Sequence, residues 1–121
     1  MVRDSSVGGG RTTQNRINRG DIWLCVLDPT VGSEIQKTRP CLIISPPEMH
    51  DFLRTVIAAP LTSGSHEAHY RLPVAFEDKE GRILLDQIRT LDKRRLLRRL
   101  GAANTQTLRA TLAALREMFA D

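Results

Sequence analysis

The chain has 121 residues, 40% of them hydrophobic and 26% charged, with a formal net charge of +4. That length fits one domain with an ordinary globular core, and no apolar run approaches the roughly 18 residues of a membrane span. Aromatic residues make up only 4%, which argues against a base-stacking platform, while the positive balance invites a polyanionic partner such as nucleic acid.

Residues 1–18 are polar, carry three consecutive glycines and show no apolar periodicity, so they read as a flexible tail outside the core. They lack the apolar centre of a secretory signal, and the expectation is a cytoplasmic protein. The domain is then residues 19–121. Asp21–Leu27 is apolar on both faces, as a strand covered on both sides requires, and Asp28-Pro29 breaks it. A polar loop, Thr30–Arg39, leads to a second buried strand, Cys41–Ser45, ended by Pro46-Pro47. Thr55–Ala59 reads as a third strand stopped by Pro60, and Thr62–Ala68 as another polar loop. Tyr70–Phe76 contains Pro73 and so belongs at a sheet edge. Asp78–Gly81 reads as a turn and Arg82–Ile88 as the fifth strand.

The C-terminal part changes character. Lys93–Leu100 reads as a short helix, with Asp92 as N-cap and Gly101 as its stop. A longer helix covers about Thr105 to Phe119, with Leu108, Leu112, Leu115 and Phe119 on one stripe. Short strands followed by helices predict an α+β domain with a small, twisted or partly closed antiparallel sheet.

Cys25 and Cys41 sit in apolar segments and read as buried, reduced thiols, with a disulfide left open by the sequence. No ligand set has zinc spacing, and no nucleotide, dinucleotide or zinc-protease motif occurs. No cofactor or metal is therefore expected. His66 and His69 share a polar loop, which favours solvated surface histidines over an acid–base pair.

Two polar loops flank buried strands, Asp28–Pro40 and Thr62–Ser65. Pro40 restricts Arg39 to extended backbone, and a guanidinium held there suits a phosphate or a charged transition state. From spacing alone, a surface arginine in a structural ion pair is the plainer reading. Glu34 could accept a proton, orient Arg39 or stand as a solvated carboxylate. Thr62 could donate to a phosphate oxygen or make a local turn bond. Residues 92–101 hold five Lys/Arg and one Asp, either an RNA-steering patch or a solvated face.

Four segments, RGDIWLCVL at 19–27, DPTVGSEIQKTRP at 28–40, AAPLT at 58–62 and LDQIRTLDK at 85–93, together resemble the MazF/PemK family of mRNA interferase toxins. The resemblance implies an SH3-like barrel with C-terminal helices, shared with CcdB toxins, and a homodimer. It implies a toxin of a type II toxin–antitoxin system that cuts single-stranded mRNA without metal, using the RNA's own 2′-hydroxyl. The products would be a 2′,3′-cyclic phosphate and a 5′-hydroxyl. It implies Arg39 and Thr62 as catalytic residues and Glu34, Lys37, Ser63 and Gln87 as RNA contacts. It also implies an antitoxin whose acidic flexible tail covers the RNA site. A guanidinium has no lone pair to offer as acceptor, so the proton-taking group is left to Glu34 or a water. The alternative is a CcdB-like gyrase poison that acts by protein contact, for which Arg39 and Thr62 would not be needed.

Overall fold

The computed structural model describes residues 16–35, 37–64 and 68–121. Strands β1 (Asp21–Val26), β2 (Thr38–Ile43) and β3 (Thr55–Thr62) take up the most apolar stretches of the chain. Successive side chains on a strand point to opposite faces, and here both directions lead into apolar cores. Ile22, Leu42, Ala59 and Leu61 enter one core. Trp23, Cys25, Cys41, Ile43, Val56 and Ala58 enter a second on the other face. Two-sided burial is why these segments read as unbroken apolar runs.

Strand β4 (Arg71–Phe76) and β5 (Lys79–Leu84) form a hairpin, followed by β6 (Arg89–Asp92) and β7 (Leu96–Ala102). All pairings are antiparallel, in the order β4-β5-β3-β2-β1-β7, with β6 also on β3. Strand β3 turns the sheet. Its residues Thr55–Ala58 pair with β6, while Leu61 and Thr62 pair with β5. One edge thus serves two partners in succession, and the sheet curls into a half-barrel. Helix α1 (Pro47–Phe52) links β2 to β3, and helix α2 (Thr105–Met118) lays Leu112, Leu115 and Met118 against the first core. Asn104 caps α2, its side chain accepting from the Thr107 amide at 2.7 Å. The expected α+β class, with a twisted antiparallel sheet and a C-terminal helix, is the one adopted. Among the described residues no helix is long and apolar enough to cross a membrane.

Four expectations change. The segment 93–100 is not a helix: Lys93–Arg95 make a single 3-10 turn, and the chain then runs as β7 along the edge of β1. Leu96 reaches one core and Leu100 the other, so long-range pairing overrides the local helical pattern. Asp92 does cap, but it caps that turn, accepting from the Arg94 amide at 2.8 Å. Pro60 does not stop β3. It lies between the residues paired to β6 and those paired to β5, where a missing N–H costs no ladder bond. The hairpin turn is Glu77-Asp78, both with positive φ (53° and 61°), so β5 begins at Lys79. Finally, Phe119 leaves the α2 stripe and is 71% exposed.

Residues 1–15 of the expected tail lie outside the described residues, but Ile17 and Asn18 are tied to the domain. Ile17 packs on the second core, and its carbonyl accepts from His50 Nδ1 at 2.9 Å. That bond fixes the proton on Nδ1, so buried His50 Nε2 accepts from Ser45 Oγ at 2.7 Å. Ser45 Oγ in turn accepts the Ile57 amide at 3.0 Å. The RGD-x-W run is a second clamp. Asp21 is 3% exposed. Its carboxylate accepts from the Asn18 amide (2.9 Å), Trp23 Nε1 (3.3 Å) and Arg99 Nε (3.2 Å).

Candidate active site

The two residues expected to be catalytic stand on strands, not in loops. Arg39 lies in β2, across from Cys25 of β1. Thr62 is the last residue of β3. Strands β2 and β3 pair Cys41 with Pro60 and Leu42 with Ala59, and the same register carried two residues on brings Arg39 level with Thr62. Both are half-buried and line one cavity of about 180 Å³, with Pro40, Leu61, Ser63, Val74 and Phe76. The β4–β5 hairpin closes it with Glu77, Lys79, Glu80 and Gly81.

Gly81 sets how closely the hairpin approaches. A Cβ placed on it would lie 2.1 Å from the Thr62 carbonyl oxygen and 3.2 Å from Ser63 Cα. Only glycine lets β5 press on the backbone that carries Thr62 and Ser63. Sequence reasoning put Gly81 in a turn and passed over Glu77 and Glu80. Their places depend on hairpin register and on a strand distant in sequence, and no local pattern marks them.

Of the expected RNA contacts, Ser63 lines this cavity, whereas Glu34, Lys37 and Gln87 lie elsewhere. Glu34 and Gln87 line a second, more polar cavity of about 380 Å³ with Pro29, Asp86, Arg89 and Arg95. Gln87 braces the loop between β1 and β2, its Oε1 accepting from the Ile35 amide at 2.8 Å and from Arg89 Nη2 at 3.3 Å. Glu34 Oε1 accepts the Val31 amide at 2.7 Å, closing the loop's own turn. Lys37 is exposed, with φ of 73°, and lines neither cavity. Its amide donates to Asp28 Oδ1 at 2.9 Å and its carbonyl accepts from Leu27. Arg95 holds the start of that loop by donating to the carbonyls of Val26 and Asp28.

Electrostatics separate the two cavities further. Arg71 grips both oxygens of Asp86, at 2.9 and 2.7 Å. That guanidinium holds the Asp86 carboxyl below its ordinary range. Beneath Arg39, buried Cys25 and Cys41 are free thiols. The Cys41 thiol is pushed up, first by its hydrogen bond with Cys25 and then by burial. His69 is exposed and 3.2 Å from Glu117, while His66 lies outside the described residues. Among the described residues no three His, Cys, Asp or Glu side chains gather as a metal-binding group.

Comparison with known proteins identifies the family. The profile of the family described as PemK-like, MazF-like toxin of type II toxin-antitoxin system matches residues 18–119. The chain is 42% identical over 90 residues to the endoribonuclease MazF of Staphylococcus epidermidis, covering 69% of this chain and 75% of that protein. Its fold resembles the crystal structure of MazF from Deinococcus radiodurans, with a TM-score of 0.76 at 24% identity, over 84% of this chain and 94% of that one. It also resembles a mycobacterial endoribonuclease solved with its cognate antitoxin, with a TM-score of 0.70 at 24% identity, over 84% of this chain and 92% of that one. The chain belongs to the PemK-like, MazF-like toxin family of type II toxin–antitoxin systems.

Proposed function

We propose that this toxin is a metal-independent endoribonuclease that cleaves single-stranded RNA at the cavity of Arg39 and Thr62. The observation that carries the reading is the meeting of these two side chains, from different strands, at one opening in the surface. The guanidinium supplies fixed positive charge for the phosphate and for the charge that builds on it in the transition state. The Thr62 hydroxyl supplies a neutral donor to a phosphate oxygen. The attacking group is the RNA's 2′-hydroxyl, so the products are a 2′,3′-cyclic phosphate and a 5′-hydroxyl. Glu34, Gln87 and Lys37 then act away from the scissile phosphate, on neighbouring nucleotides, and Ser63 acts beside it. The name of the staphylococcal relative supports the activity. The mycobacterial complex supports restraint by an antitoxin, whose acidic tail would compete with RNA for the same positive charge. The same reading makes the protein a cytoplasmic homodimer.

The test is cleavage of a long, unstructured RNA in excess EDTA by wild type, Arg39→Ala and Thr62→Ala, with the product ends mapped. Wild type gives discrete cuts that end in cyclic phosphate. Removing a charge-stabilising donor costs about 10²–10³-fold, expected for Arg39→Ala, with a smaller loss for Thr62→Ala. A folded, antitoxin-free wild type that leaves RNA intact would sink the reading, and cutting that survives Arg39→Ala would move the site.

A further inference from the structure

Attack by a 2′-hydroxyl needs a group that takes its proton, and neither Arg39 nor Thr62 is suited to that. A guanidinium offers no acceptor, and a neutral hydroxyl is a weak base. Glu34, to which the sequence points, lines the other cavity and is engaged with the Val31 amide. Asp86 also lines that other cavity, gripped by Arg71. Among the described residues, the carboxylates that share the cavity with Arg39 and Thr62 are Glu77 and Glu80.

We infer that Glu80 is the general base of the cleavage, an assignment that rests on the reading of this chain as an endoribonuclease. Two observations choose it over Glu77. Glu80 is a strand residue, paired with Ala75 and followed directly by Gly81, whose backbone is in contact with Thr62 and Ser63. Its main chain is therefore fixed against the strand that carries Thr62, whereas Glu77 sits in the hairpin turn. Glu80 also lines a neighbouring polar cavity of about 480 Å³, formed with Ser63, Pro73, Arg82, Asn104 and Thr107. It stands on the wall shared by the two spaces. An RNA chain that leaves the Arg39 cavity for this second space carries a ribose past it.

In the step, the Glu80 carboxylate takes the 2′-hydroxyl proton, and the freed electron pair on that oxygen forms its bond to phosphorus. The bond from phosphorus to the 5′-oxygen breaks, leaving its pair on that oxygen, which takes a proton from water. Glu80 then returns its proton to the hydroxide so formed.

The experiment is single-turnover cleavage of a short RNA carrying one mapped cut site, from about pH 5 to about pH 9. Wild type, Glu80→Gln, Glu80→Asp and Glu77→Gln are compared, with binding measured on the uncleavable 2′-O-methyl form of the same RNA. A lost general base costs about 10²-fold or more. Glu80→Gln should show that loss with wild-type binding and without the wild type's fall in rate towards acid pH, and Glu80→Asp should recover part of the rate and the acid limb. A Glu80→Gln rate within a few-fold of wild type, a loss matched by lost binding, or a larger loss in Glu77→Gln overturns the assignment. Active wild type with indifferent Glu80 removes this inference alone, whereas inactive wild type removes the endoribonuclease reading with it.

Discussion

Asp21 shows how one side chain serves the fold and not the chemistry. Its buried carboxylate satisfies the Asn18 amide, the Trp23 indole and Arg99 together. Asp21→Ala would leave the buried Trp23 indole N–H without its partner and return the exposed Asn18 and Arg99 donors to water, which costs about 1–3 kcal/mol, and urea unfolding should show that loss. Asp86 gives a pH signature. Arg71 lowers its carboxyl in the folded state, so the pair's stabilisation is complete above the ordinary Asp pKa of about 3.9 and fades as pH falls through the lower, folded value. The difference in stability between wild type and Asp86→Asn should therefore be constant near neutrality and shrink in acid. The effect is small, because the pair is partly exposed.

Among the elements, β3 carries the most consequence. It feeds both cores, gives one edge to β6 and then β5, and ends on Thr62. A Cβ on Gly81 would fall 2.1 Å from the Thr62 carbonyl oxygen, too close for any side chain. Gly81→Ala forces the two strands apart, at about 1–3 kcal/mol for an overpacked site, and shifts Thr62 away from Arg39. Cleavage by this variant should fall by more than the folded fraction lost in a thermal melt. Activity that tracks the folded fraction alone would mean that Gly81 serves stability only. Strand β7 teaches a different lesson. Its arginines and leucines have a plausible helical spacing, but the open edge of β1 takes the segment as a strand.

At the scale of the whole molecule, the positive charge is spread unevenly between fold and surface. Arg99 is paired with Asp21, Arg94 with Asp92, and Arg95 holds the loop carbonyls. Arg94, Arg95 and Arg99 are thus engaged within the fold, where composition alone left open either an RNA-steering patch or a solvated face. Replacing Arg94, which is paired with Asp92, by Ala should leave the salt dependence of RNA binding unchanged, whereas Arg39→Ala should lower its slope by about one. Equal slopes for the two variants would return the steering role to the 93–99 run.

The sequence by itself determined the buried strands, the α2 helix and the two candidate catalytic side chains. Apolar runs, prolines and a motif pattern are local properties, legible without any partner. Arg39 and Thr62 could be named from their motifs, but their meeting could not, because it depends on the register of β2 on β3. The tertiary structure alone decided that Glu34 and Gln87 line a separate cavity, that Gly81 seats the hairpin, and that Glu80 joins Arg39 and Thr62. Each of these follows from contacts between segments far apart in the chain, where pairing energy outweighs local preference.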